Sequence, residues 1–132
     1  MKKILIIEDD SMLNKTLAYN LAIDGYEVHS AFSAAEGLKQ TKEQNYDLVV
    51  LGVNLPDENH FEVYQKLKTH ANMSIVFLTT NDAENDRMRE FKLGVNDYIT
   101  KPFPIRIFQK KIAALFHQMD RPETEHFDVG NL

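Results

Sequence analysis

The chain has 132 residues, 43% hydrophobic and 27% charged, with a net charge of −5 and no cysteine. That length favours one domain with a short extension and buries a core without disulfide or metal staples. The composition is that of a soluble globular protein; it excludes a disulfide framework, a thiolate metal site and a cysteine nucleophile, and argues against this chain alone coating nucleic acid. No apolar run is long enough to cross a membrane. The start, MKKILIIEDD, is too short in its apolar part for a signal peptide and meets acids at once. The five histidines, at 29, 60, 70, 117 and 126, lack metal-ligand spacing. A cysteine-free chain fits the reducing cytoplasm, which is the expected setting.

Lys3 to Ile7 is a continuous apolar run bounded by charge, the pattern of a parallel strand buried on both faces. It ends in Glu8-Asp9-Asp10, and Asp10 reads as a helix cap. Leu13, Leu17 and Leu21 then recur at helical spacing between Ser11 and Asp24, and Gly25 stands where a helix C′ residue belongs. Tyr26 to Ala31 is a second, weaker strand. Ser33-Ala34-Ala35-Glu36 is a capping box that opens a second helix, to about Gln44. Asp47 to Leu51 is a third strand, and Asn59 caps a third helix through about His70. Ser74 to Thr80 is a fourth strand, a fourth helix runs from about Ala83 to Leu93 before Gly94, and Asp97 to Thr100 is a fifth strand. Pro104 fits the N1 position of a last helix, to about His117.

Alternating strands and helices imply an α/β fold with helices on both faces of a parallel sheet. Right-handed crossovers favour five strands in the flavodoxin-like order 2-1-3-4-5, with ligands outside the carboxyl ends of strands one and three. Those ends carry Glu8, Asp9 and Gly52; strands four and five add Thr79 and Lys101 at the same edge. Residues 118–132 differ. Gln118 to Glu125 is polar and contains Pro122, as a linker would; His126 to Leu132 reads as the start of another strand, so residues 1–117 form the expected domain and a second domain is expected after the linker.

ILIIEDD, VNLPDENHF, FLTT and DYITKPF, in that order and spacing, resemble the receiver (CheY-like) domain of bacterial two-component response regulators over roughly residues 2 to 117. The tail HFDVGNL resembles the first strand of the winged-helix DNA-binding domain of the OmpR/PhoB family. The resemblance implies that Asp9 binds Mg²⁺ directly, Glu8 through water and Asn54 by its backbone carbonyl. It implies that Thr79 and Lys101 hold a phosphoryl group and that Tyr98 reports the switch by its rotamer. At position 52 the family has an aspartate that takes the phosphoryl group from a sensor histidine kinase, where this chain has Gly52. Glycine offers no nucleophile, so phosphorylation there is not expected, and Mg²⁺ binding is expected to be weak.

Two accounts of Gly52 stand at this point: a one-nucleotide change of an aspartate codon, and a natural atypical receiver that works through unphosphorylated contacts. The intact surroundings lean toward the first. The resemblance also implies a homodimer through helix four, strand five and helix five, with Arg87, Asp97 and Lys111 at the matching positions and Ile107 where an acidic partner of Arg87 would stand. DNA is then a partner only through a following domain, and no membrane partner is implied. An enzyme is disfavoured: EDDSM lacks the hydroxyl- or glycine-rich phosphate loop of a flavodoxin-type FMN module, and the spaced aspartates of a haloacid-dehalogenase-type phosphatase are absent.

Overall fold

A computed structural model of the chain describes residues 1–53, 55–70, 73–79, 97–100 and 104–119. The strands are β1 (Lys3–Ile7), β2 (Glu27–Ala31), β3 (Leu48–Gly52), β4 (Ser74–Thr79) and β5 (Asp97–Thr100). The helices described are α1 (Ser11–Ile23), α2 (Ala34–Glu43), α3 (His60–His70) and a C-terminal helix (Ile105–Met119). The stretch read as a fourth helix lies outside the described residues.

Strands β2, β1, β3 and β4 make the body of the sheet, with the short β5 hydrogen-bonded beside β4 at the edge; every pair is parallel. The apolar runs explain this placement. In β1, Ile4 to Ile7 are fully buried, and so are Leu48 to Leu51 in β3, as strands covered on both faces must be. Side chains alternate between faces. Leu5, Ile7, Val49, Leu51, Ile75 and Phe77 pack with Val63, Tyr64 and Leu67 of α3 and with Ala34 of α2. Ile4, Ile6, Leu48, Val50, Val76 and Leu78 pack with Leu17 and Leu21 of α1 and Phe108 and Ile112 of the C-terminal helix. Helices on both faces of a parallel sheet are the arrangement the alternation of elements implied.

The helix ends follow the residues that cap them. Asp10 accepts from the Leu13 N–H, and Ser33 accepts from the Glu36 N–H. Glu36 closes its box one residue further back than expected, on the Phe32 N–H. Asn59 accepts from Phe61 N–H at the head of α3. After α1 the chain reverses through Gly25 at φ +101°, a conformation that side chains with a Cβ adopt at a cost. Several boundaries differ from expectation by a residue or two; β2 and β3 start at Glu27 and Leu48. Strand β3 continues through Gly52, because its backbone still pairs with Leu78. Pro104 precedes the last helix instead of opening it: its carbonyl accepts from Ile107 and Phe108, so it stands at the cap. That helix runs to Met119, two residues into the stretch read as linker.

Candidate functional site

The carboxyl ends of β1, β3 and β4 meet at one edge of the sheet. Ile7 pairs with Leu51, and Gly52 with Leu78, so Glu8, Gly52 and Thr79 follow one another across the three central strands. This is the crevice where open α/β sheets bind ligands.

Glu8 is the best-anchored residue of the edge. Its N–H donates to the Ala31 carbonyl at 3.1 Å, and its own carbonyl accepts from the Asn14 side-chain amide at 3.0 Å. The residue is 2% exposed, which is unusual for a carboxylate. Oε2 accepts from the Asp10 N–H at 3.0 Å. Oε1 points at Gly52: a Cβ built on that glycine would lie 2.6 Å from it. Asp9, by contrast, is exposed.

Asn14 was read only as part of an amphipathic helix, yet it is fully buried on α1 beneath this edge. Its Nδ2 donates to the Glu8 and Ala31 carbonyls, both at 3.0 Å, and reaches the Ile6 carbonyl at 3.5 Å. The amide thus pins the end of β1 to the end of β2, while its Oδ1 has no protein partner. The signal in sequence was a short polar residue immediately after Leu13, on a face otherwise facing the sheet.

Asp57 is a second residue that sequence reading passed over. It lies in the loop after β3, and its two oxygens accept from Ala34 N–H at 2.9 Å and Ala35 N–H at 3.0 Å. Those are free donors of the first turn of α2, where the helix dipole also favours an anion. The Ala34 and Ala35 N–H groups hold the Asp57 carboxyl below the usual carboxylate range. The loop leaving Gly52 is therefore tied to the neighbouring helix.

Of the other residues singled out from sequence, Thr79 is the last residue of β4, in register with Thr100. Tyr98 pairs with Phe77 and Asp97 with Val76. These are backbone positions. Lys111 lies half-buried on the C-terminal helix, and Ile107 of that helix is 45% exposed. Asn54, Arg87 and Lys101 lie outside the described residues. The edge brings Glu8, Asp9, Gly52 and the Thr79 backbone together.

Mg²⁺ asks for near-octahedral oxygen donors and accepts one or two carboxylates with waters. The described side chains do not fit that demand. Glu8 is buried with one oxygen on the Asp10 N–H and the other against Gly52, Gly52 offers no side chain, and Asp9 alone faces outward. No group of three or more acidic or histidine side chains converges among the described residues. No helix among them is long and apolar enough to cross a membrane.

Comparison with known proteins agrees with this architecture. The response regulator receiver domain family matches residues 4–113. The transcriptional regulatory protein AfsQ1 of Streptomyces coelicolor is 33% identical over all 132 residues, which span 59% of its length. The alkaline phosphatase synthesis transcriptional regulatory protein PhoP of Bacillus subtilis is 36% identical over 120 residues, 90% of this chain and 50% of PhoP. The chain thus spans little more than half of these relatives. Among solved structures, the non-phosphorylated HemR receiver domain of Leptospira biflexa is similar with a TM-score of 0.82 and 32% identity, over 92% of this chain and 98% of that one. A two-component response regulator from Clostridium difficile has a TM-score of 0.85 and 25% identity, over 92% of this chain and all of that one. With its parallel sheet, its acidic edge and a family match over most of its length, the chain belongs to the response regulator receiver domain family.

Proposed function

We propose that this is the receiver domain of a two-component regulator of transcription in which position 52 is the phosphoacceptor position and carries no acceptor. The single observation that supports this most is the place of Gly52: the last residue of the central strand, between Glu8 at the end of β1 and the end of β4. An acyl phosphate forms when a carboxylate oxygen attacks phosphorus and the donor leaves; Gly52 has no such oxygen. A sensor histidine kinase is the partner expected for this fold, in the cytoplasm, and Thr79, Tyr98 and Lys101 are the residues proposed to hold and report a phosphoryl group. Asp9 and the Asn54 carbonyl are the donors proposed for Mg²⁺, which receiver domains in general bind at the phosphorylation site; Glu8, turned onto Gly52, would join them only by turning outward. AfsQ1 and PhoP are transcriptional regulatory proteins by name, and DNA binding is proposed for a larger regulator, outside the receiver domain.

One observation favours a second reading, a receiver that works without phosphorylation through protein contacts or a homodimer. The Glu8 carboxylate already lies where a side chain at 52 would begin, as in a site adapted to glycine. The surface proposed for the homodimer is the one carrying Arg87, Asp97 and Lys111.

The experiment is exposure of the chain and of Gly52→Asp to a small phosphodonor such as acetyl phosphate, read by intact mass and by hydroxylamine sensitivity. The wild-type chain is expected to stay unlabelled and Gly52→Asp to carry one acyl phosphate. A hydroxylamine-sensitive phosphate on the wild-type chain, or none on Gly52→Asp, overturns the assignment. Sedimentation of the unphosphorylated chain tests the homodimer of the second reading, which a monomer at high concentration refutes.

A further inference from the structure

We infer that Glu8 acts as the side chain of position 52: it reaches across from β1 and fills the space that Gly52 leaves, and in doing so it is withdrawn from the cation site. Three observations carry this. Glu8 is 2% exposed, although it belongs to a loop beside an exposed Asp9. Its Oε1 lies 2.6 Å from the point where a Cβ on Gly52 would stand, closer than a real Cβ contact comes, and its Cδ lies 3.3 Å away. Its other oxygen is held by the Asp10 N–H at 3.0 Å.

The backbone leaves Glu8 little choice of starting point. Its N–H is fixed on Ala31 and its carbonyl on Asn14, so the residue cannot slide along the strand. The side chain can turn out beside Asp9 or inward over Gly52. Inward, it fills space next to a strand end that would otherwise lack packing atoms, and it gains the Asp10 hydrogen bond. With any larger residue at 52, Oε1 has to leave its present place, and the open course is outward beside Asp9. Position 52 therefore sets where Glu8 goes. The occupancy rests on the geometry alone; its consequence for a cation rests on the function proposed above.

This gives a prediction opposite to simple ligand counting. Gly52→Ala adds no oxygen, yet it should tighten Mg²⁺ binding, because it turns Glu8 out to join Asp9. The gain should be roughly tenfold, the scale on which the partners of metal ligands act.

The test is a cycle between positions 8 and 52, made in the full chain with Glu8→Ala and Glu8→Gln. Gly52→Ala should lower the urea midpoint in the wild-type chain and in Glu8→Gln, where the side chain has the same size. It should leave the midpoint unchanged or raise it in Glu8→Ala, where the space is free. The same effect of Gly52→Ala in all three backgrounds overturns the occupancy. If Glu8→Ala does not fold, the Asp10 amide proton in the two folded chains decides: it should shift upfield in Gly52→Ala as its acceptor leaves, and an unchanged resonance overturns the inference. Mg²⁺ titration of wild type and Gly52→Ala, followed by amide shifts, reads the second half, and equal or weaker binding in Gly52→Ala overturns the withdrawal. None of these readouts needs phosphorylation, so a failure here and a failure of the acetyl phosphate experiment are separate results.

Discussion

Asn14→Asp is nearly isosteric and turns the donor that holds the β1 and β2 ends together into an acceptor. In the native chain Nδ2 donates to two carbonyls at 3.0 Å, those of Glu8 and Ala31. The Ala31 carbonyl keeps the Glu8 N–H as a donor, so its loss stands at the small end, about 1 kcal/mol. The Glu8 carbonyl loses the Asn14 donor, a loss of about 1–3 kcal/mol. The lone Oδ1 of Asn14 is common to both chains and drops out. Two carbonyl dipoles then face an oxygen where they faced an N–H, in a fully buried site, and the total reaches about 3–5 kcal/mol at neutral pH. A domain of this size holds about 5–15 kcal/mol, so roughly a fifth or more is at stake. With a urea slope of about 2 kcal/mol per molar, the midpoint should fall by about 2 M. The pH dependence gives a second reading of the same event. Burial raises the folded pKa of an acid at 14 above the unfolded value of about 3.9. The penalty is therefore present at neutral pH and shrinks as pH falls through the folded value, where a protonated acid donates one hydrogen bond again. A midpoint shift under about 0.5 M at pH 7, or a gap from wild type that fails to narrow in acid, refutes the reasoning.

Other expectations follow from the same structure. The Asp57 carboxyl is depressed by the Ala34 and Ala35 N–H groups, so its stabilising effect is present above the unfolded carboxylate range and lost as pH falls through the lower folded value; Asp57→Ala should remove that part of the acid limb and shift the Ala34 and Ala35 amides at neutral pH, and unchanged amide shifts would refute the tie. Burial, then Glu27 and Glu43, push the Tyr46 hydroxyl up; its contribution is present below the unfolded value and lost as pH rises through the folded one, so an ultraviolet titration of wild type minus Tyr46→Phe should show a tyrosine ionising above free tyrosine. Gly37→Ala, a gain of about 1 kcal/mol by helix propensity, should instead lower thermal stability, because its Cβ would stand 2.7 Å from Ile7 Cγ1 inside the core and overpacking costs about 1–3 kcal/mol. A rise in melting temperature for Gly37→Ala would show that Ile7 repacks freely.

What could be read in the sequence was what depends on local pattern. The run from Lys3 to Ile7 and the LVVL of β3 declared buried strands because nothing polar interrupts them. Asp10, Ser33 and Asn59 declared helix starts because a cap is a contact over two or three residues. What could not be read depends on neighbours far along the chain. Asn14 meets Ala31 across 17 residues, and Asp57 meets Ala34 across 23. Glu8 was placed correctly at the edge, but the turn of its carboxylate toward Gly52 depends on the pairing of β1 with β3, which sequence spacing does not set to within an ångström. Pro104 shows the limit at short range: N1 and cap differ by one residue, a difference made by where the chain arrives from.

The network around β2 has a consequence for how the molecule keeps company with itself. Strand β2 is the outer strand opposite β5, so one row of its backbone groups faces away from the sheet and could template another chain. The Gln40 side-chain amide donates to the Ser30 carbonyl, one member of that outward row, and its oxygen takes the Tyr46 hydroxyl. The same hydroxyl meets His29 at 2.7 Å, and His29 meets Glu27 at 3.0 Å. A helix side chain thus does for this edge what a sixth strand would do, and polar groups line the approach. Loss of Gln40 would leave the fold its core and give the sheet a margin open to strand addition, so the damage would appear as aggregation at high concentration before it appeared as unfolding.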